Sequence, residues 1–139
     1  MTGTCICGDV TVAIDHAPAF VNDCDCSLCR RTGAAWGYFT SASVNTQGET
    51  TAFVRQDTPD AAVELHACTR CAATTHFVLT ESYRAAHPEA DQVGVNMKLF
   101  DPAELTGVER RFPDGRNWDG ESAYGFRRES VTMTEEAAW

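Results

Sequence analysis

The amino-acid sequence predicts an all-β, strand-dominated fold. Short segments alternate apolar and polar side chains with the period of a β-strand, as in VTVAID at 10–15 and QVGVNMKLFD at 92–101. Turn signals such as DTPD at 57–60 separate these segments, and few stretches have the long apolar periodicity of an amphipathic helix. Short strands joined by frequent turns are typical of β-sheet domains.

The predicted strands follow one another along most of the chain. Val10, Val12 and Ile14 form the apolar face of the first one. The segment AAWGYFTSASV at 34–44 combines aromatic with small residues and is expected to be a buried strand. Further strands are predicted at 51–56, 61–68, 76–82 and 92–101.

Helices are predicted only as short turns. A helical turn at 83–91 is interrupted by Pro88, which cannot continue a helix. Pro102 suits the first position of a short helix within DPAEL at 101–105. These short patterns leave the fold class strand-dominated.

Length and charge bound the remaining possibilities. The 139 residues are predicted to form one zinc-binding domain over 1–125 and a partly disordered C-terminal tail over 126–139. The net charge of -9 argues against a nucleic-acid partner, because neutralising phosphates requires a basic surface. No stretch approaches the roughly 20 apolar residues of a membrane span. The N-terminus lacks the pattern of a secretory signal, so a cytoplasmic protein without a membrane partner is expected.

The seven cysteines are the main candidates for functional residues in the sequence. Their odd number cannot be consumed by disulfides alone, and their close spacing is typical of metal ligation in a reducing compartment. They fall into three groups: Cys5-Ile-Cys7, Cys24-Asp-Cys26-Ser-Leu-Cys29 and Cys68-Thr-Arg-Cys71.

Two of these groups together match a closed structural zinc site. A C-x-C followed by Gly8, and a C-x-x-C, each let two thiolates face one ion, and four thiolates complete a tetrahedron. The sequence therefore predicts a structural zinc held by Cys5, Cys7, Cys68 and Cys71. Zinc binding contributes about 10–16 kcal/mol in small zinc-finger peptides, so such a site would dominate the stability of the domain.

The remaining group supplies three ligands and leaves one coordination position for water, substrate or a distant side chain. Three protein ligands plus an exchangeable one are typical of catalytic zinc, so a second zinc is predicted on Cys24, Cys26 and Cys29. The alternative is a second structural site, closed by one of His16, His66, His76, Asp23 and Asp25.

The charge of a three-thiolate site favours a thiol as substrate. Three thiolates give the zinc unit a formal charge of about -1, which makes the ion a weak Lewis acid. Such a site suits a soft fourth ligand held as thiolate. Arg30 and Arg31 follow the cluster directly and are candidates to bind carboxylates of that thiol; the alternative is that they form surface ion pairs.

The order of the cysteine groups resembles the glutathione-dependent formaldehyde-activating enzyme family, which includes the centromere protein V group. The resemblance rests on CICG near the start, CDCSLCRR next and CTRC later. It extends to GDVTVAI, LFDPAEL and DGRNWDG, and covers residues 2–120.

This resemblance implies a fold, an activity and a set of site residues. The implied fold is a β-tent of antiparallel sheets around a structural zinc, as in Rab-binding zinc chaperones. The implied activity is that of a carbon–sulfur lyase that joins formaldehyde and glutathione into S-hydroxymethylglutathione. The resemblance assigns the four paired cysteines to the structural zinc and the group of three to the catalytic zinc. Two positions depart from the family pattern: Ala72 replaces a usual Gly, at a cost of roughly 1 kcal/mol if its φ is positive, and Arg111 replaces a frequent His.

Other functions stay open at this point. The chain can be a non-catalytic binding module stabilised by zinc, or a redox-responsive or metal-responsive protein in which zinc loss permits a disulfide. For a lyase, the sequence identifies no single proton donor; the candidates are Asp23, Asp25 and His76. Core packing is the expected role of the aromatic residues Trp36, Tyr38, Phe39 and Trp118.

Overall fold

Eleven β-strands dominate the structure, a computed structural model that describes all 139 residues. The strands are β1 Thr2–Thr4, β2 Thr11–Ile14, β3 Phe20–Asn22, β4 Trp36–Phe39, β5 Val44–Gln47, β6 Thr50–Val54, β7 Val63–Cys68, β8 Thr74–Leu79, β9 Val93–Asn96, β10 Glu109–Arg111 and β11 Val131–Thr132. The two α-helices, α1 Ser27–Thr32 and α2 Glu81–Ala86, have six residues each. The predicted strand-dominated fold is therefore confirmed.

The strands form two sheets. The smaller sheet has three antiparallel strands in the order β1-β2-β5, and the larger has eight in the order β11-β10-β3-β4-β9-β8-β7-β6. All neighbouring pairs are antiparallel except β3 and β10, which run parallel. Neither α-helix has the length or apolar character that crossing a bilayer requires.

Most predicted strands are present, but the segment at 92–101 forms a strand only over Val93–Asn96 and continues as a 3-10 turn, Met97–Leu99. The segments at 10–15, 51–56, 61–68 and 76–82 correspond to β2, β6, β7 and β8. The segment at 34–44 is divided, because a short 3-10 turn, Ser41–Ser43, follows β4 and leads into β5 in the other sheet. Pro102 begins a 3-10 turn, Pro102–Leu105, capped by the Asp101 carboxylate. The sequence analysis missed α1, since a six-residue helix has no periodic apolar face long enough to identify it.

The main hydrophobic core lies between the two sheets. Val12 and Ile14 of the small sheet pack in one cluster with Val21 and Val95 of the large sheet. Met133, from the C-terminal segment, is fully buried in the same cluster, and its N–H donates to the Val108 carbonyl oxygen. The division of the chain into a domain over 1–125 and a separate tail remains a prediction.

A second, smaller core lies beneath the cysteine-containing helix α1. It packs Cys29 against Trp36 of β4, Leu65 of β7 and Phe77 of β8. Phe77 lies opposite Gly94 in the β8–β9 register, and a Cβ at Gly94 would be 1.9 Å from the Phe77 Cε1 atom. The absence of a side chain at Gly94 is therefore what lets the Phe77 ring lie flat across β9 under the helix.

We predict that Gly94→Ala destabilises the protein by about 1–3 kcal/mol, because the added methyl group overlaps a buried ring. Chemical denaturation of the zinc-loaded protein measures the change. Gly125→Ala is the matched control, since a Cβ there meets no atom within 4 Å. Equal stability of the two variants would contradict this account of the second core.

Candidate metal centres

Four cysteine side chains converge where the two sheets meet. Cys5 follows β1 in the small sheet, Cys68 ends β7 in the large sheet, and Cys7 and Cys71 follow each of them in sequence. The four sulfur atoms all lie within 4.8 Å of one another, with Cys5 and Cys68 buried. We call these residues the four-cysteine cluster. The structure thus brings together the four residues that the sequence predicted for one metal ion.

Two tight turns hold these sulfurs in place. Gly8 has a φ of 82° and Ala72 a φ of 59°, so both residues adopt the left-handed conformation directly after a cysteine pair. The Cys5 Sγ accepts a hydrogen bond of 3.3 Å from the Val10 N–H, and the Cys68 carbonyl oxygen accepts one of 2.9 Å from the Ala72 N–H. Ala72 therefore adopts the left-handed conformation that glycine favours, at a cost of roughly 1 kcal/mol.

The other three cysteines lie at the start of α1. Cys24, Cys26 and Cys29 place their sulfur atoms within 4.8 Å of one another, and we call them the three-cysteine cluster. Cys26 caps the helix, because its Sγ accepts a hydrogen bond of 3.4 Å from the Cys29 N–H. The Cys24 Sγ accepts one of 3.4 Å from the Cys26 N–H, and the Cys29 Sγ accepts one of 3.3 Å from the Trp36 Nε1–H. Each sulfur is thus oriented by a donor on the protein.

The three sulfurs strongly perturb one another's ionisation. Hydrogen bonds from the Cys24 thiol, and next from the Cys29 thiol, lower the pKa of Cys26 to about 2. The pKa of Cys29 is raised, first by Cys24 and then by Cys26 and burial. Three thiolates at this separation repel one another unless a cation lies among them. An all-sulfur donor set with this charge fits a soft divalent metal such as zinc.

None of the five residues considered as a fourth ligand joins the three-cysteine cluster. Leu65 and Phe77 pack against Cys29, so the alternation of side chains along β7 and β8 directs His66 and His76 to the opposite face. The two histidine rings stack there with centroids 4.4 Å apart.

The remaining candidates for the fourth ligand have other partners. The Asp23 carboxylate pairs with Arg110, and His16 pairs with Asp15. Asp25 accepts a hydrogen bond of 3.1 Å from the Arg116 N–H and lies 3.6 Å from the Arg127 Nε. The three-cysteine cluster therefore offers three protein ligands.

Several arginine residues lie around this cluster, and a substrate-binding role for Arg30 and Arg31 remains a prediction. Arg30 and Arg31 lie exposed in the last turn of α1, and the Arg31 side chain donates a hydrogen bond of 3.0 Å to the Ser27 carbonyl oxygen. Arg55, which the sequence analysis missed, bonds to the Asp57 carboxylate at 2.7 Å and to the Ser27 Oγ at 2.6 Å. Asp57 raises the pKa of Arg55, and the Cys26 thiolate adds to this shift. No local pattern around Arg55 signals its contact with Ser27, because the two residues are 28 positions apart in the chain.

A C-terminal loop, residues 113–126, covers the outer side of the three-cysteine cluster. Gly115 lies so close that a Cβ there would be 2.3 Å from the Cys24 Sγ. The Arg127 side chain donates a hydrogen bond to the Asp23 carbonyl oxygen, which anchors the end of the loop. The predicted packing roles hold for the buried Trp36 and Phe39, whereas Trp118 on this loop is 39% exposed.

We predict that Trp36→Phe weakens metal binding at the three-cysteine cluster by about tenfold, because it removes the donor that orients the Cys29 sulfur. Competition with a chromophoric zinc chelator measures the affinity. The four-cysteine cluster in the same protein is the internal control, and its affinity should stay unchanged. Trp139→Phe, at an exposed ring, controls for the loss of an indole. A variant that keeps full affinity at the three-cysteine cluster would exclude an orienting role for Trp36.

Comparisons with known proteins identify a family and a similar structure. Residues 1–110 match the family described as glutathione-dependent formaldehyde-activating enzyme. The structure resembles the crystal structure of a Rhodobacter sphaeroides protein with a TM-score of 0.57 and 25% sequence identity, over 73% of this chain and 88% of that chain. No curated protein matches the chain.

Proposed function

The chain belongs to the glutathione-dependent formaldehyde-activating enzyme family, and from this premise we propose that it is a zinc-dependent carbon–sulfur lyase. Its substrates would be a glutathione-type thiol and formaldehyde or a related aldehyde, or the adduct of the two. The observation that carries the proposal is the three-cysteine cluster, which gathers three sulfur ligands beside one another without a fourth protein ligand. Family membership implies glutathione-dependent chemistry related to formaldehyde, acting on small molecules.

The two clusters suit different roles toward zinc. We propose that the four-cysteine cluster holds a structural zinc, because four thiolates close a tetrahedral site. The three-cysteine cluster would hold the catalytic zinc, and Cys24, Cys26 and Cys29 would act in catalysis as its ligands. Zinc bound there would supply a position at which a substrate thiol is held as thiolate near neutral pH.

The protein groups around the three-cysteine cluster fit this chemistry. The Trp36 indole and the backbone N–H groups of α1 orient the sulfurs and partly neutralise their charge. In the reaction, a bond forms between the thiol sulfur and the aldehyde carbon, and the thiol proton ends on the former carbonyl oxygen. Cleavage of the adduct is the reverse of this step. Arg55 pairs with Asp57 and donates to the hydroxyl of Ser27, the residue that follows Cys26.

We predict that Cys26→Ser removes one zinc per chain and abolishes formation and cleavage of the adduct, because a serine hydroxyl is a poor zinc ligand. Metal analysis of freshly purified protein, with a count of protected thiols on the same sample, tests the first part. An assay of S-hydroxymethyl adduct formation from glutathione and formaldehyde, corrected for the uncatalysed reaction, tests the second. Full activity in zinc-loaded Cys26→Ser would refute the zinc–thiolate mechanism.

Cys68→Ser is the matched comparison for this experiment. We predict that it destabilises the whole fold, because it opens the site that joins the two sheets, and the free energy involved is on the order of 10 kcal/mol. Thermal unfolding should therefore separate the two variants: Cys26→Ser stays near the wild type, whereas Cys68→Ser loses its cooperative transition. The reverse order would mean that the structural and catalytic roles are exchanged.

A redox or metal-responsive role is the second candidate. It is favoured by three free thiols within 4.8 Å of one another, a separation from which loss of the metal allows a disulfide to form. Release of zinc by a mild oxidant, reversed by a reductant, would support this role.

The composition of the chain is the basis for two further proposals. We propose a cytoplasmic location, because closely spaced thiols of this kind are typical of a reducing compartment. We propose no nucleic-acid partner, because the net charge is -9.

A further inference from the structure

An aromatic pair is exposed on the loop that covers the three-cysteine cluster. The rings of Trp118 and Tyr124 stack with centroids 4.3 Å apart and an interplanar angle of 25°. The two residues are 39% and 48% exposed. The indole N–H of Trp118 donates a hydrogen bond of 2.6 Å to the Ser122 carbonyl oxygen, so its one polar group is already satisfied. The pair therefore presents apolar ring surface to solvent from a fixed position.

Backbone contacts place this pair beside the three-cysteine cluster. The Asp114 N–H donates a hydrogen bond of 2.8 Å to the Gly125 carbonyl oxygen, which sets Tyr124 across from Gly115. Gly115 in turn touches Cys24. Burial, followed by the negative charge of the three thiolates, raises the pKa of Tyr124, consistent with a ring that lies next to the sulfurs.

The charged groups around the cluster are largely paired with one another. The guanidinium of Arg55 bonds to both carboxylate oxygens of Asp57, at 2.7 and 2.9 Å. Arg127 is bound to the Asp23 carbonyl oxygen, and Arg110 to the Asp23 carboxylate. A cation already engaged in this way contributes little to binding a further anion, because the existing pair must be broken first. Beside these ion pairs, the stacked aromatic pair offers exposed apolar surface for contact with a ligand.

We propose that the Trp118–Tyr124 pair extends the range of thiol substrates beyond glutathione-type thiols: it binds an apolar group where a thiol carries one, and so favours thiols with an aryl substituent over small thiols. This inference rests on the proposed function, because it takes the thiol sulfur to be held at the three-cysteine cluster. Stacking of one aromatic group on such a pair increases affinity roughly threefold to tenfold.

Binding of two uncharged thiols to the cobalt-substituted 139-residue chain tests the proposal. Thiolate binding changes the visible absorption of Co²⁺, and the measurement requires no turnover. We expect 2-phenylethanethiol to bind roughly threefold to tenfold more tightly than 2-mercaptoethanol. In the Trp118→Ala/Tyr124→Ala variant the preference should disappear, while the affinity for 2-mercaptoethanol stays unchanged. Tyr83→Ala, at a residue of α2 whose ring lies against His87, is the control and should keep the preference.

The affinity ratio of the two thiols tests the aromatic pair, and the presence of a spectral change tests thiol binding at the metal. Equal affinity for the two thiols in the wild type, or a preference that survives in the double variant, would overturn the role of the aromatic pair and leave thiol binding intact. Absence of any spectral change with either thiol would refute thiol binding at the metal.

A second measurement then decides on the aromatic pair independently of the metal. The indole N–H signal of Trp118, assigned with Trp118→Phe, should shift in NMR spectra on addition of 2-phenylethanol. The signals of Trp36 and Trp139 serve as internal controls and should not move. An unchanged Trp118 signal would overturn the inference.

Discussion

The structure depends on the convergence of four sulfur atoms at the junction of its two sheets. Cys7 and Cys68 are 61 positions apart in the chain, yet their sulfurs lie 3.7 Å from each other. Such proximity is unfavourable for thiolates by themselves and favourable around a metal ion. A structural zinc contributes about 10–16 kcal/mol in small domains, which is comparable to the whole stability of a typical protein of this size. Because each pair of cysteines belongs to a different sheet, this cluster fixes how the small sheet packs against the large one.

The three-cysteine cluster depends in turn on that packing. The strand that ends at Cys68 also carries Leu65, and the next strand carries Phe77; both residues support Cys29 from below. Trp36, on β4, completes this layer and donates to the Cys29 sulfur. The four-cysteine and three-cysteine clusters therefore both depend on β7 and on its connection to β8. A structural change at the four-cysteine cluster should therefore affect the three-cysteine cluster through these strands.

Paired charges hold the cysteine loop without adding much stability. Ion pairs of this kind, at the partly exposed positions of Asp57, Asp23 and Asp25, contribute about 0–1 kcal/mol each. These ion pairs fix the cysteine loop against β10 and the C-terminal segment. They also pair arginine side chains with carboxylates of the protein itself. The exposed, stacked rings of Trp118 and Tyr124 lie beside these ion pairs as the apolar part of the same surface.

Local patterns in the sequence were sufficient for the strand-dominated fold and the grouping of the cysteines, because ligand spacing and strand alternation involve residues close in the chain. Contacts between distant residues needed the tertiary structure. Arg55, which follows β6, bonds to the Ser27 hydroxyl, and Gly115, which comes after β10, lies beside Cys24. His76 is carried away from the site by the alternation along β8, although its spacing left it as a candidate. The sequence by itself determined which residues can bind a metal, and only the packing of the sheets decided which side chains surround it.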